Sequence, residues 1–197
     1  MKVYKTMSTR LTNPPLPFTF QFLVTTSGTP EQLTVKRRAT TISFTEGGAD
    51  RDTINDSANG FLIAGFQAGD QITVVSTSAV NDGTYTIYSV TAGVITLASR
   101  NDLATETAGA AGTVKLTAPK SVPDGISVNI KTRKGNTGDI TVGYSSATAL
   151  NTTTGNVILD ANESIGLQVN STDAIWLDAT VTGEGVEVWF EKNIQAA

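Results

Sequence analysis

The chain has 197 residues, a formal net charge of −4, and neither cysteine nor histidine. Without cysteine there are no disulfides, thiolate nucleophiles or thiolate metal sites, and without histidine the commonest general base and metal ligand are missing. The 14 Lys+Arg against 18 Asp+Glu provide no broad basic field for nucleic-acid phosphates. These counts argue against most catalytic schemes and against a nucleic-acid partner.

The remaining composition is that of β-sheets and tight turns. The chain contains 32 Thr and 18 Gly, Val and Ile dominate its apolar positions, and helix formers are scarce. No apolar stretch approaches the roughly 18 residues that a membrane span requires, and the N-terminus has no apolar core like that of a secretory signal. We therefore expect a soluble all-β chain with no membrane partner, and two domains are favoured over one.

The N-terminal residues 1–17 are predicted to form an extended arm. Pro14, Pro15 and Pro17 remove backbone donors and impose extended geometry, so neither a regular helix nor a central strand fits. The following segment, 18–24, reads FTFQFLV and alternates aromatic with polar residues before it becomes wholly apolar. This pattern predicts a strand that crosses a core.

A basic triplet follows a short predicted strand at 31–35. Lys36, Arg37 and Arg38 interrupt the apolar pattern and indicate a junction between two domains. The triplet has two interpretations: a solvated hinge, or a surface that docks an acidic partner. Together with the three prolines of the arm, it forms the set of candidate partner-binding residues. In the docking interpretation Lys131, Arg133 and Lys134 extend the same surface.

Residues 39–116 are predicted to form a small barrel-like β-domain of five or six short strands. The polar loop 45–60 permits a short strand at 53–54. The apolar run Phe61–Ala64 fits either a helical turn or a strand. The Asp82-Gly83 pair lies between two β-rich runs and predicts a hairpin. The other strands are predicted at 40–44, 71–75, 84–90, 94–97 and 112–116.

The C-terminal part, 117–197, repeats the alternation of apolar and polar residues in five segments separated by Gly and Asp turns. These segments predict a β-sandwich of the jelly-roll or immunoglobulin-like kind. The strands are predicted at 126–131, 139–144, 164–169, 174–179 and 185–190.

Five strands alone would leave open sheet edges, and the early strands at 18–24 and 31–35 have no partners close in sequence. We therefore predict that residues 18–38 and 117–197 form one β-sandwich domain and that 39–116 is inserted into it as a separate domain. Such insertions are tolerated at surface turns when the ends of the inserted unit lie close together.

The densest acidic cluster is Glu46, Asp50, Asp52 and Asp56. Carboxylates in a Gly-containing loop can bind calcium. However, Arg51 interrupts the cluster and no glutamate follows at the spacing of an EF-hand loop. A solvated or interface loop is the favoured interpretation, and no metal or other cofactor is predicted.

Two other sets of residues suggest chemistry. Glu184 with Glu187 or Glu163 could form the carboxylate pair of a glycosidase, but Glu184 lies in a Gly-Glu-Gly turn and Glu187 alternates with valines. Trp176 and Trp189 fall in alternating strands, which favours packing at the core or its rim over stacking on a carbohydrate. No catalytic residue is predicted.

Several turn-containing segments resemble the small β-sandwich modules of tailed-bacteriophage structural proteins. The resemblance covers most of residues 28–190, and its motifs are turn signatures, none of them catalytic. The resembling segments are 28–33, 123–128, 136–143, 160–165 and 179–186, with 65–72 and 81–87 resembling small β-domains of phage virion proteins.

The resemblance implies a non-enzymatic virion protein that presents surfaces in a symmetric assembly. The preferred hypothesis is a capsid decoration or stabilising protein that binds the major capsid protein and forms a homo-oligomer, for example a trimer. The alternatives are a tail, collar or baseplate component, and a glycan-binding module for host adhesion. A carboxylate-dependent hydrolase is the least favoured. The expected location is the virion, assembled in the host cytoplasm.

Overall fold

The computed structural model describes residues 19–150 and 157–192. Strands are the main regular structure of these residues, with two short helices beside them, and every strand pair among them is antiparallel, which confirms the all-β prediction. Two short helices, α1 (Phe61–Ala64) and α2 (Ser146–Leu150), and a 3₁₀ turn at Thr172–Ala174 interrupt the strands. The strands are β1 (Phe20–Leu23), β2 (Glu31–Gln32), β3 (Val35–Ala39), β4 (Ile42–Thr45), β5 (Thr53–Asp56), β6 (Gln71–Ser76), β7 (Gly83–Val90), β8 (Val94–Leu97), β9 (Val114–Ala118), β10 (Ile126–Thr132), β11 (Ile140–Gly143), β12 (Val157–Leu159), β13 (Ser164–Leu167), β14 (Trp176–Ala179) and β15 (Gly185–Lys192).

Sheet I contains four strands in the order β1-β15-β10-β13. Its longest pairing joins β10 to β15, with Val128 opposite Phe190. Every second side chain of β10 is buried, namely Ile126, Val128, Ile130 and Thr132, because successive residues of a strand point to opposite faces. One face of sheet I therefore contributes to the core, and β1 forms one of its edges.

Sheet II also contains four strands, in the order β12-β11-β14-β2. All four residues of β11 are buried, since α2 packs against both β11 and β14. The close approach depends on Gly143, where a Cβ atom would lie 2.6 Å from the backbone nitrogen of Ala149. Helix α2 therefore covers the end of β11, which the sequence pattern did not predict.

Sheet III contains seven strands in the order β3-β9-β6-β7-β8-β5-β4. The predicted hairpin is confirmed, because β6 and β7 are antiparallel neighbours with Val74 opposite Gly83. Asp82 fixes the connection by accepting a 2.6 Å hydrogen bond from the Ser76 amide. Phe61–Ala64 is helical, and Gly65 ends the helix in the left-handed region at φ 101°, a conformation that glycine adopts without strain.

The early strands are divided between the sheets. β1 pairs with β15 and β2 pairs with β14, so both join C-terminal strands. β3, by contrast, pairs with β9 in sheet III, with Val35 opposite Ala118. The predicted boundaries at residues 38 and 117 therefore fall inside paired strands. Basic residues continue β3 because their aliphatic stems can pack along a strand while the charged ends reach solvent or a carboxylate.

Several C-terminal elements differ from the predictions: the strand predicted at 164–169 ends at Leu167, and the strand predicted at 174–179 begins at Trp176. The strand predicted at 139–144 ends at Gly143, and β12 was not predicted at all. The predicted arm, including Pro14, Pro15 and Pro17, lies outside the described residues.

Candidate functional site

Two chain crossings connect sheet III to the remainder of the described chain. We call residues 33–35 the first crossing and residues 118–120 the second crossing. Leu33 is fully buried and its amide donates a 2.8 Å hydrogen bond to the carbonyl of Ile175. Because the crossings bring sheets I, II and III together, the side chains around them are the first candidates for a functional surface.

Lys36, the first residue of the basic triplet, is bound within the molecule. Its Nζ lies 2.7 Å from Oε2 of Glu31 and 4.1 Å from the centre of the Phe22 ring. Burial lowers the pKa of Lys36 more than the hydrogen bond with Glu31 raises it. Burial also raises the pKa of Glu31, but the donors Lys36 and Thr25 outweigh it and the pKa falls below its usual value. Lys36 thus ties β3 to β1 and β2.

Arg37 points to the opposite side of β3, as alternation requires. Its Nε donates a 2.8 Å hydrogen bond to Oδ2 of Asp56, whose side chain is completely buried. Thr41 Oγ1 and the amide of Gly60 also donate to Asp56, at 2.6 and 3.1 Å. Burial raises the pKa of Asp56, but these donors outweigh it and lower the pKa to about 2.

Arg38 is the exposed member of the triplet, and no ion pair involves it among the residues described. Lys36 and Arg37 thus form ion pairs within the chain and line one groove, whereas Arg38 lies apart from them. Binding of a partner by the triplet stays a prediction. Of the three residues, Arg38 is the one that presents an exposed charge to a partner.

Lys120 stabilises the second crossing. Its side chain is 3% exposed and its Nζ lies 2.5 Å from Oδ2 of Asp70, at the turn before β6. The amide of Lys120 donates a 2.9 Å hydrogen bond to Thr172 Oγ1, and its carbonyl accepts one of 2.9 Å from the Thr172 amide. One residue thus contacts sheet III through its side chain and the C-terminal region through its backbone.

A groove of about 910 Å³ lies beside the first crossing. We call it the junction groove. Sheet I contributes Leu23 and Trp189, the residue before β1 contributes Thr19, β3 contributes Lys36, and α1 contributes Ile63. Ile63 is 89% exposed and Leu23 is 40% exposed. The groove therefore combines large apolar side chains with the ends of charged ones, which is a surface suited to binding an extended segment.

The acidic loop is organised around a buried carboxylate. Asp52 is fully buried and accepts hydrogen bonds from the amides of Gly47, at 2.8 Å, and of residues 102–103, at 2.7 and 3.0 Å. Burial raises the pKa of Asp52, but the amide donors outweigh it and the pKa is lowered overall. Glu46 and Asp50 are exposed. The loop is thus held together by Asp52, whose oxygens are already engaged by donors.

Glu184 also has a structural role. Its side chain accepts hydrogen bonds from the amide and Oγ1 of Thr137 and from the amide of Gly138. Burial raises the pKa of Glu184, yet these donors lower it overall. Glu187 faces outward on β15, and Glu163 binds the amide of Asp160 at 2.9 Å. The carboxylates that suggested a glycosidase pair are thus engaged in different contacts.

One carboxylate pair escaped the sequence analysis. Asp139 shares a hydrogen bond with Asp160, which raises the pKa of Asp139, and burial and the nearby charges of Asp160, Glu184 and Glu163 act in the same direction. Asp139 and Asp160 lie in two different turn-containing segments of the sequence. Neither segment indicated that the two side chains would lie close together. Among the described residues no group of three or more metal-binding side chains is arranged to hold a metal ion.

Comparison with protein-family models, with curated proteins and with solved structures gives no match. Over residues 19–150 and 157–192, no helix has the length and apolar character needed to span a bilayer.

Proposed function

We propose that this chain is a non-enzymatic structural protein of a tailed-phage virion, and that it decorates the head by binding the major capsid protein. The observation that carries this proposal is the combination of all-antiparallel sheets, fixed to one another at two crossings, with large apolar side chains left on the surface. A scaffold of this kind presents contact surfaces at a set distance and orientation.

The finer fold belongs to the same proposal. Sheets I and II would face each other as a β-sandwich, because both contribute buried apolar residues to the core and because β1 and β2, from the same N-terminal segment, extend sheet I and sheet II respectively. Sheet III would form the inserted, barrel-like unit over residues 35–118. The supporting observation is the pairing of Val35 with Ala118, which brings the two ends of that unit to adjacent strands.

A deletion tests this domain arrangement. A variant in which Thr34 is joined to Pro119 through a short Gly-Ser linker should retain β-sheet circular dichroism and unfold cooperatively. A matched variant that deletes 39–117 keeps most of β3 without its partner β9, so it should be less stable. Failure of the first variant to fold would contradict the inserted arrangement.

The polar chemistry of the chain supports a structural role. Asp52, Asp56 and Glu184 are buried, and each accepts several hydrogen bonds from the chain itself. Buried carboxylates held by donors in this way stabilise loops and turns. Their oxygens are occupied by these donors, so they are poorly placed to act as a general acid or base.

Exposed apolar residues support an interaction surface. Ile63 is 89% exposed, Tyr144 is 67% exposed and Leu150 is 52% exposed. Single exposed apolar residues are ordinary, but those near Ile63 line one groove. Weak contacts of this kind gain strength through avidity when many copies of a protein bind a repeating shell.

Binding to capsid shells tests the head role. Shells of the phage that carries this gene, prepared without the chain, should bind the purified full-length protein in a fixed ratio to the major capsid protein. Cryo-EM should place the added density on the shell. Density confined to the tail, or only a few copies per particle, would favour the tail, collar or baseplate alternative instead.

A glycan-binding module is the second candidate, because Trp189 is only partly buried and lines the junction groove. An exposed tryptophan face can stack on a sugar ring. Glycan-array binding that is lost in Trp189→Ala but kept in Trp176→Ala would favour this function. The absence of binding on an array of host surface glycans would remove it.

A further inference from the structure

The junction groove exposes apolar surface that nothing among the described residues covers. Ile63 is 89% exposed, and the fold holds it there. Phe61 is buried at the start of α1 and packs edge-on against Phe66, with ring centres 6.1 Å apart. Because both aromatic rings are anchored, the single turn of helix between them must direct Ile63 outward. Ile63, Leu23 and Trp189 line one groove, and exposed apolar side chains grouped in this way indicate an interaction surface.

The described chain begins at this groove. Thr19, the first described residue, lines it, so residues 1–18 continue from its rim. This N-terminal segment contains three basic residues, Lys2, Lys5 and Arg10, and no acidic residue, whereas the remainder of the chain contains 11 basic and 18 acidic residues. These opposite net charges favour encounter between the segment of one copy and another copy. At the groove itself, which Lys36, Arg37 and Glu187 line, the uncharged residues 13–17 would make apolar contacts.

The sequence of the segment also fits the groove. Leu16 lies between Pro15 and Pro17, and prolines favour the polyproline II conformation that aromatic-lined grooves recognise. Trp189 and Leu23 supply the aromatic and aliphatic surface. Residues 13–17 each either are proline or precede proline, so we expect an extended run of about 15 Å at roughly 3 Å per residue.

Leu16 is only three positions before Thr19 in sequence, and prolines on both sides favour extended backbone, so we expect a straight run to carry Leu16 away from the groove of its own copy. We propose that the junction groove of one copy binds residues 13–17 of a second copy, with Leu16 packed against Ile63, Leu23 and Trp189. The proposal rests on the proposed function and deepens it by naming the contact through which copies associate. Because the arm and the groove are different surfaces, the contact is head-to-tail, and it closes into a ring when the rotation between copies allows.

The absence of cysteine from the chain makes disulfide trapping a direct test. A Leu16→Cys chain is mixed with an Ile63→Cys chain, both full length, and oxidised mildly. We expect a covalent dimer that contains one copy of each variant, formed at least tenfold more than in a matched mixture of Leu16→Cys with Val80→Cys. Val80 is 58% exposed but does not line the groove.

Two results would overturn the proposal. If the double variant Leu16→Cys/Ile63→Cys forms its disulfide within one chain at high dilution while the mixture gives no dimer, the segment occupies its own groove. If neither preparation forms a disulfide above the Val80→Cys control, the groove does not bind this segment.

A second measurement needs no cysteine. Ile63→Asp should convert the oligomer of the isolated chain to monomer in sedimentation equilibrium, whereas the matched Val80→Asp should leave its mass unchanged. An unchanged mass for Ile63→Asp would contradict the proposal. Since shells are not involved, self-association through the groove without binding to shells would overturn the head role alone.

Discussion

Each crossing has a lysine in an ion pair, Lys36 directly after the first crossing and Lys120 at the end of the second. The two pairs differ in their exposure and in the sequence separation of their partners. At the second crossing Lys120 is 3% exposed and joins Asp70, fifty positions away. At the first crossing Lys36 is 17% exposed and joins Glu31, five positions away. Burial lowers the pKa of both lysines more than their carboxylate partners raise it. We therefore expect the more buried pair, at the second crossing, to contribute more to stability than the pair beside the first crossing.

The largest expected effect follows from removing the buried lysine. Lys120→Met keeps much of the side-chain volume but leaves Asp70 without its cation in a largely buried position. Breaking a buried pair on one side typically costs about 3–5 kcal/mol. We therefore expect the free energy of unfolding, measured by urea denaturation, to fall by about 3 kcal/mol.

The double variant Lys120→Met/Asp70→Leu provides the informative control for this change. It removes both charges, so no uncompensated ion remains, and we expect it to recover most of the lost stability. Lys115→Met, at an exposed position of β9, should change the free energy of unfolding by less than about 0.5 kcal/mol. If Lys120→Met and Lys115→Met lowered the free energy of unfolding by similar amounts, the buried ion pair would not be the cause of the loss.

An acid titration of stability tests the contribution of Asp56, the buried carboxylate near the first crossing. Asp56 has a pKa of about 2 in the folded chain against an ordinary 3.8. The ionised Asp56 carboxylate therefore adds about 2 kcal/mol to the free energy of unfolding. This stabilisation is fully present above about pH 4 and is lost as the pH falls toward 2.

The matched variant for this titration is Asp56→Asn. Between pH 4 and 2 the unfolding free energy of the parent chain should fall more steeply than that of the variant. Asp52, Glu31 and Glu184, whose pKa values are also lowered, contribute to the slope in both proteins and cancel in the difference. Parallel slopes would show that Asp56 does not titrate as described.

A smaller effect is expected from Lys36→Met. The pair with Glu31 is partly exposed, and partly exposed pairs contribute less than buried ones. Loss of the contact with the Phe22 ring adds a modest term. We expect the free energy of unfolding to fall by about 1 kcal/mol, and a loss equal to that of Lys120→Met would remove the distinction between the crossings.

The smallest effect is expected from Arg38→Ala. Arg38 is exposed and has no ion pair among the residues described, so the melting temperature should stay within about 2 °C of the parent. If the triplet docks an acidic partner, binding to capsid shells should weaken in this variant, while Lys115→Met should not change it. Unchanged binding would remove Arg38 from the partner-binding residues.

Much of the fold follows from local sequence. Period-two alternation predicted β6, β10 and β15 because their buried residues alternate strictly along most of each strand. β12 has only three residues and two of them are exposed, so it carries no such pattern. Helix α2 was missed because its burial rests on a single alanine, Ala149, and no helical stripe of apolar residues marks it.

The candidate site depends on contacts that local sequence does not encode. Asp52 receives its donors from residues up to 51 positions away, and Lys120 meets Asp70 only because sheet III places the turn before β6 at the second crossing. The junction groove joins residues from 19 to 189. The one usable signal was the pair Leu62-Ile63 in an apolar run bounded by glycines, since a single helical turn cannot bury every side chain of such a run.

Because Val35 pairs with Ala118, the chain enters and leaves sheet III at neighbouring positions on adjacent strands. On the domain arrangement proposed above, residues 35–118 could therefore be exchanged for a different unit whose ends lie equally close together. The same position offers protein engineers a display site at which a foreign domain can be grafted, with the contact between Lys120 and Asp70 as the interaction that a graft must replace.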